Sequence, residues 1–281
     1  MELSTWPFDI EPHRDTATTL DVLAHGEIEA IGAIPWSSNA AIVARLEHNG
    51  MIVTAMCKPR AGEQPLADFP DGTLCMREAA AYQLSALMGV DIVPETVLRE
   101  TPWGVSAVQR FVDHAPDEHF FTIRDDERWH PPLRQFALFD AVANNTDRKG
   151  GHIIIERGEE TDFSRLRGID HGLTFHIQWK LRTVIWEFQS EAFTDAEREA
   201  LQRVIDSDNV NARFDGLLSS LEVDALAMRA AALLERGSFP EASGHHRDVP
   251  WPLVCYDPMS HAGELVSMPL LFRERSLKLA R

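Results

Sequence analysis

The sequence predicts an α+β fold in two lobes, a small antiparallel β-rich N-terminal lobe and a larger, mainly helical C-terminal lobe. Three observations predict it. His48-Asn49-Gly50 is a hairpin signal between two strand-like runs, because Asn-Gly tolerates positive φ. The composition shifts at 113–132, a polar stretch bounded by Pro. Beyond it lie apolar helical runs, one of them opened by Thr194 and Glu197 at capping-box spacing. The expected limits are 1–112 for the N-terminal lobe, 113–132 for the connector, 133–236 for the helical lobe and 237–281 for a Pro-rich tail.

In chain order, residues 16–25 form a short helix closed by Gly26. Strands follow at 27–34 and 40–46, joined by a Pro-containing link, and a third at 51–57 ends at Lys58-Pro59. Residues 60–72 are polar loop, and 74–87 is a helix with Ala79, Ala80 and Ala81 at its centre. Strands at 93–99 and 105–111 complete the first lobe. In the second, 133–143 is an apolar helix, while 153–155 and 166–169 are the short strands of a hairpin. Residues 186–193, 194–206 and 221–235 read as helices.

Composition removes several function classes. Of the 281 residues 44% are hydrophobic, enough for a sizeable core. The net charge of −17 speaks against a general nucleic-acid binder and against passive attraction to anionic membranes. Cys57, Cys75 and Cys255 show no CxxC or zinc spacing, as expected in a reducing compartment. The first twenty residues include Glu2, Asp9, Glu11, Arg14 and Asp15 and do not read as a signal peptide. No apolar run reaches the roughly 18 residues of a membrane span. A soluble, cytoplasmic protein is expected.

The chemistry concentrates in two loops. Asn144-Asn145-Thr146-Asp147-Arg148-Lys149-Gly150-Gly151-His152 ends an apolar helix, and Gly168-Ile169-Asp170-His171-Gly172 ends the hairpin. Two carboxylates about twenty residues apart, joined by a hairpin, suit phosphoryl transfer, which needs one near the attacking hydroxyl and one on Mg²⁺. Asp147 is the candidate catalytic Asp, Arg148 a brace or charge stabiliser, and Asp170 the metal ligand. Each Asp, taken alone, reads equally as a turn residue. Lys58, at a strand end, is positioned to hold ATP phosphates, and Glu78 on the next helix to pair with it. Alone, they read as a surface Lys and a solvated helix charge. The order strand-Lys, helix-Glu, connector, Asp loop, second Asp loop favours the functional reading of all four. Ser37 and Ser38 are candidates to cover phosphates, though no Gly-rich run accompanies them. Phe111 and Val112 end the strand whose backbone would meet adenine. His245, His246 and His261 in the tail read as solvated.

These motifs resemble the phosphatidylinositol 3- and 4-kinase superfamily, most of all the type II phosphatidylinositol 4-kinases and a bacterial branch. Asn145-Thr146-Asp147-Arg148 is similar to the family's Asn-Thr-Asp-Arg catalytic loop. Ile169-Asp170-His171-Gly172-Leu173-Thr174-Phe175 is similar to its Ile-Asp-Asn-Gly-Leu-Ala-Phe metal loop, and Cys57-Lys58-Pro59 to its Phe-Lys-Pro. The resemblance covers about residues 27–190. It implies a bilobal protein-kinase-like fold, ATP and Mg²⁺ as cofactors, and transfer of the γ-phosphate to a hydroxyl.

Two departures follow. The family usually has Asn five residues after the catalytic Asp, as a second metal ligand; here His152 stands there. Mg²⁺ prefers hard oxygen donors, so either one Mg²⁺ suffices, or Mn²⁺ is tolerated, or the transfer is weak or altered. Between the metal loop and the next helix, Lys180 and Arg182 are the strong cations, where lipid kinases carry a basic segment. A soluble acceptor, protein or small polyol, is therefore expected over a membrane lipid. Two alternatives stay open, a nucleotide-binding pseudokinase and an AMP-transferring protein of the same fold.

Overall fold

The computed structural model describes residues 8–11, 15–33, 40–115, 117–156, 165–206 and 210–254. The chain divides into two compact units, one of residues 1–75, 95–114 and 257–281 and one of residues 76–94 and 115–256. The first carries an antiparallel sheet and the second is mainly helical, which is the α+β order the sequence predicts.

The first unit opens with helix α1 (Thr16–His25), capped by Asp15, whose carboxylate accepts from Thr18 N (3.0 Å) and Thr18 Oγ1 (2.7 Å). Those bonds hold the Asp15 carboxyl below its ordinary range. Five strands follow: β1 (Glu27–Ala33), β2 (Ile42–His48), β3 (Met51–Pro59), β4 (Thr96–Thr101) and β5 (Gly104–Arg110). They pair antiparallel in the order β1-β2-β3-β5-β4, with an irregularity in β1 between Ala30 and Gly32. Asn49 (φ 53°) and Gly50 (φ 76°) make the β2–β3 turn, the conformation that Asn-Gly predicts. Val22 and Leu23 of α1 pack with Ile42, Leu46, Ala55 and Val108 of the sheet. Strand alternation then puts Cys57 in that core and its neighbour Lys58 on the opposite face. The loop at 60–72 does more than connect. Glu63 accepts from Leu74 N (3.0 Å) and Cys75 N (2.8 Å), satisfying the first donors of helix α2 (Leu74–Met88).

In the second unit α2 is joined by α3 (Phe120–Ile123), α4 (His130–Ala143), α5 (Asp195–Ile205), α6 (Val210–Arg213) and α7 (Ser220–Arg236). Residues 113–132 thus hold a short helix, a 3₁₀ turn at Glu127–Trp129 and the first turn of α4. Strands β6 (Ile153–Glu156) and β7 (Arg165–Gly168) form the expected hairpin. The Thr194/Glu197 capping box is present (2.7 and 3.3 Å), and Ser219 with Glu222 makes a second at α7. Phe136 and Phe139 of α4, Phe175, Leu201 and Leu226 centre one continuous core. Among the described residues, no helix is long and apolar enough to cross a membrane.

Residues 186–193 are not the helix the sequence suggests. Gln189 N–H reaches only Trp186 O (3.2 Å), and Ser190 turns left-handed at φ 64°. Ser190 N–H donates to Phe239 O (3.2 Å) and Phe193 N–H to Gly237 O (2.9 Å). Pairing with 237–239 takes the donors a helix would need. Residues 237–254 accordingly pack on this unit, and Leu253 O accepts from Gly150 N–H (2.8 Å).

Candidate active site

The site in the second unit begins where α4 stops. Asn144 adopts the left-handed cap (φ 51°), and its amide N–H returns to Asp140 O. Its side chain donates to His176 O and Gln178 O (both 2.7 Å) and accepts from Lys180 N (2.9 Å), tying down the segment after the second Asp loop. Asn145 donates to Asp140 Oδ1 (3.0 Å) and accepts Asp147 N–H (2.9 Å). That local ring presents Asp147 on the far side of the turn.

Asp140, which the sequence reading passed over, lies under this loop. It and Arg148 are fully buried, and the guanidinium grips the carboxylate through Nε (3.1 and 3.0 Å) and Nη2 (2.9 Å). Arg148 Nη1 donates to His152 O and Ile169 O (both 3.3 Å), and Nη2 donates to His171 Nε2 (2.9 Å). One side chain therefore joins the helix, the first Asp loop and the second. Its geometry matches a brace, the first of the two parts expected for Arg148.

The hairpin sets the second loop against the first. Its register pairs Ile153 with Gly168, and Ile169 N–H continues the ladder to His152 O (3.0 Å). Asp170 then turns left-handed at φ 59°, a conformation that Asp tolerates better than most residues. His171 is fully buried, edge-on to Phe139, and its backbone N–H donates to Glu78 Oε2 (3.0 Å). Glu78 is thus an anchor of the second loop from within α2. Gly168 has no room for a side chain: a Cβ there would stand 2.7 Å from Phe136 and 3.1 Å from His171 Nε2.

Asp147, Asp170 and His152 come together here. Asp147 is mostly buried and paired with Lys149 Nζ. Burial pushes its carboxyl above the ordinary range, Lys149 opposes that, and the nearby Asp170 charge adds to it. Asp170 is half-exposed, with Oδ2 3.3 Å from His152 Nε2. His152 itself is buried, and its Nδ1 accepts a long hydrogen bond from Lys149 N–H (3.4 Å).

Lys58, Phe111 and Val112 belong to the first unit. Phe111 N–H donates to Thr54 O (2.9 Å), and Val112 O accepts from His114 Nδ1 (2.8 Å), so both groups have partners inside that unit. Ser37 and Ser38 fall outside the described residues, as do Cys255 and His261. Cys57 and Cys75 are buried thiols whose pKa burial raises to about 12, which removes them as nucleophiles.

No protein-family model matches the chain. It is 33% identical over 270 residues to Protein Rv2133c of Mycobacterium tuberculosis, an alignment covering 82% of this chain and 94% of that protein. Among solved structures it is similar to the Helicobacter pylori proinflammatory kinase CtkA, at 12% identity and a TM-score of 0.47, over 77% of this chain and 94% of that one. It is also similar to the Rio2 kinase of Chaetomium thermophilum in an ADP/Mg²⁺-phosphoaspartate complex, at 14% identity and a TM-score of 0.37, over 78% and 74%.

Proposed function

We propose that this chain, which belongs to one family with Protein Rv2133c of Mycobacterium tuberculosis, is an ATP-dependent phosphotransferase of the phosphatidylinositol 3-/4-kinase-like type. It transfers the γ-phosphate to a hydroxyl of a soluble protein or small polyol. The observation that carries the reading is the meeting of Asp147 and Asp170 on two loops clamped to one buried Arg148–Asp140 pair.

The donor set suits Mg²⁺. Both Asp side chains offer hard oxygens, and Asp170 is half-exposed, so a hydrated ion can reach it. Mg²⁺ held by Asp170 supplies charge neutralisation on the phosphates. His152 fits that ion less well than it fits Asp170. With Nδ1 accepting from Lys149 N–H, the ring proton sits on Nε2, facing the carboxylate. In this reading His152 steadies Asp170, and the metal-ligand role expected of it gives way to that one.

The remaining roles are carried over from the sequence motifs. Asp147 orients the acceptor hydroxyl and takes its proton, a task helped by a carboxyl already held above the usual range. Arg148 sets the distance between the two loops. On the resemblance Lys58 is assigned to the α/β-phosphate oxygens and Phe111 and Val112 to the adenine, while Glu78 anchors the second loop. Lys180 and Arg182 are too few to read a polyphosphorylated lipid headgroup, which favours the soluble acceptor.

A thermal-shift titration with ATP, ADP and GTP, each with Mg²⁺ or Mn²⁺, tests this on wild type and Asp170→Asn. A ligand that binds only the folded state must raise the Tm. A metal-dependent ATP shift lost in the variant, with slow release of γ-label, is the expected result. A shift without turnover would identify a nucleotide-binding pseudokinase. Transfer of α-label would identify AMP transfer. No shift with any nucleotide would overturn the proposal.

A further inference from the structure

A second cluster of ligating side chains lies in the first unit. Asp21 and His25 stand one turn apart on α1, and His48 ends β2 just before the Asn49-Gly50 turn. His25 Nδ1 is 3.0 Å from Asp21 Oδ1, and His48 Nε2 is 3.6 Å from Asp21 Oδ2. The two imidazole rings tilt toward each other with centroids 5.6 Å apart. One ligating atom from each of the three residues lies within 4.8 Å of the others.

The geometry points to a surface Zn²⁺ site at Asp21, His25 and His48. Zn²⁺ takes imidazole nitrogen and carboxylate oxygen at roughly 2.0–2.2 Å, which sets tetrahedral ligands about 3.4 Å apart. Asp21 meets the two imidazoles through different oxygens, Oδ1 3.0 Å from His25 Nδ1 and Oδ2 3.6 Å from His48 Nε2, and the three ligands close onto one ion by side-chain rotation, since all three groups are solvent-accessible. Water completes the fourth position. Two further features favour a cation. His25 occupies the last turn of α1, the negative end of the helix dipole, where the described structure offers His25 as the basic group. The chain's net charge of −17 also raises the local cation concentration. The imidazole–carboxylate set selects Zn²⁺ over Mg²⁺, which prefers oxygen alone. Coordination through His25 Nδ1 moves that ring's proton to Nε2, which faces water. The ion would join α1 to the end of β2, a clasp within this unit.

Calorimetric titration of the full-length protein with Zn²⁺, then with Mg²⁺, tests the site on wild type, His25→Ala, His48→Ala and a control double variant, His245→Ala/His246→Ala. Wild type and control are expected to bind one Zn²⁺ with a rise in Tm. Either single variant should weaken that binding at least about tenfold. Loss of the Tm rise in both variants, with unchanged far-UV circular dichroism, supports the clasp. Co²⁺ substitution adds an independent signature, a visible tetrahedral absorption present in wild type and absent in both variants. Equal Zn²⁺ binding in wild type and single variants, binding only at millimolar Zn²⁺, or Mg²⁺ binding of comparable affinity that is lost in the same single variants would overturn it.

Discussion

Replacing Asp140 with Ala isolates the buried pair that holds the site together. The carboxylate accepts three bonds from Arg148, one from Asn145 Nδ2 and one from Thr183 Oγ1 (3.3 Å), and neither charged partner touches solvent. Removing it leaves an uncompensated guanidinium in the interior, a loss of about 3–5 kcal/mol. At about 2–4 °C per kcal/mol for a unit of this size, the Tm of its transition should fall by about 6–20 °C. Asp140→Leu/Arg148→Met removes both charges and should recover much of that loss, because an apolar pair of similar volume replaces an ion pair with little net cost. It should not recover phosphotransfer. Arg148 also holds His152 O, Ile169 O and His171 Nε2, and Met offers none of those donors. Urea unfolding followed by circular dichroism, run beside a γ-label assay, separates the two effects. Two results would refute the reasoning: a loss below about 1 kcal/mol in Asp140→Ala, within reach of an ordinary substitution, or a double variant that regains both stability and turnover.

Three further predictions follow from the same geometry. Asp147→Asn should abolish transfer yet raise the Tm at neutral pH. The folded pKa of Asp147 is raised, mainly by burial, so its stabilising contribution is present below the unfolded carboxylate range and lost as pH rises through the folded value. The ionised group is then a net cost at pH 7, and the gain in the variant should vanish in acid; a Tm that falls at pH 7 contradicts this. Gly168→Ala should destabilise by about 1–3 kcal/mol, since its methyl meets the Phe136 ring and the His171 imidazole, and a neutral result in chemical denaturation would show that the loop gives way. Glu78→Gln keeps an acceptor for His171 N–H but removes the charge beside Asp170's loop, so the Tm should change little while KM for ATP rises; an unchanged KM removes Glu78 from the nucleotide's surroundings.

Much of the site was legible because turn chemistry is local. Asn144 and Asp170 stand at positive φ where the sequence places turn residues, and the hairpin between the two loops has the expected strands. The Thr194/Glu197 box likewise needs only residues three apart. Other features depend on partners far along the chain. Residues 186–193 have helical composition, yet their donors go to 237–239, a pairing that no short window contains. Glu63 caps a helix that starts eleven residues later, with no periodicity to mark it. Asp140 is the instructive case. It is the lone carboxylate in the apolar run 133–143, and a charge at such a position must be paired or be expensive. Arg148, eight residues on, is the nearest cation C-terminal to it, so the pair was available in the sequence as an anomaly and its solution. The turn residues mark where the loops bend; the misplaced charge marks what fixes them. The second signal identifies the group on which the arrangement of both loops depends, because one guanidinium reaches α4, Ile169 and His171 at once.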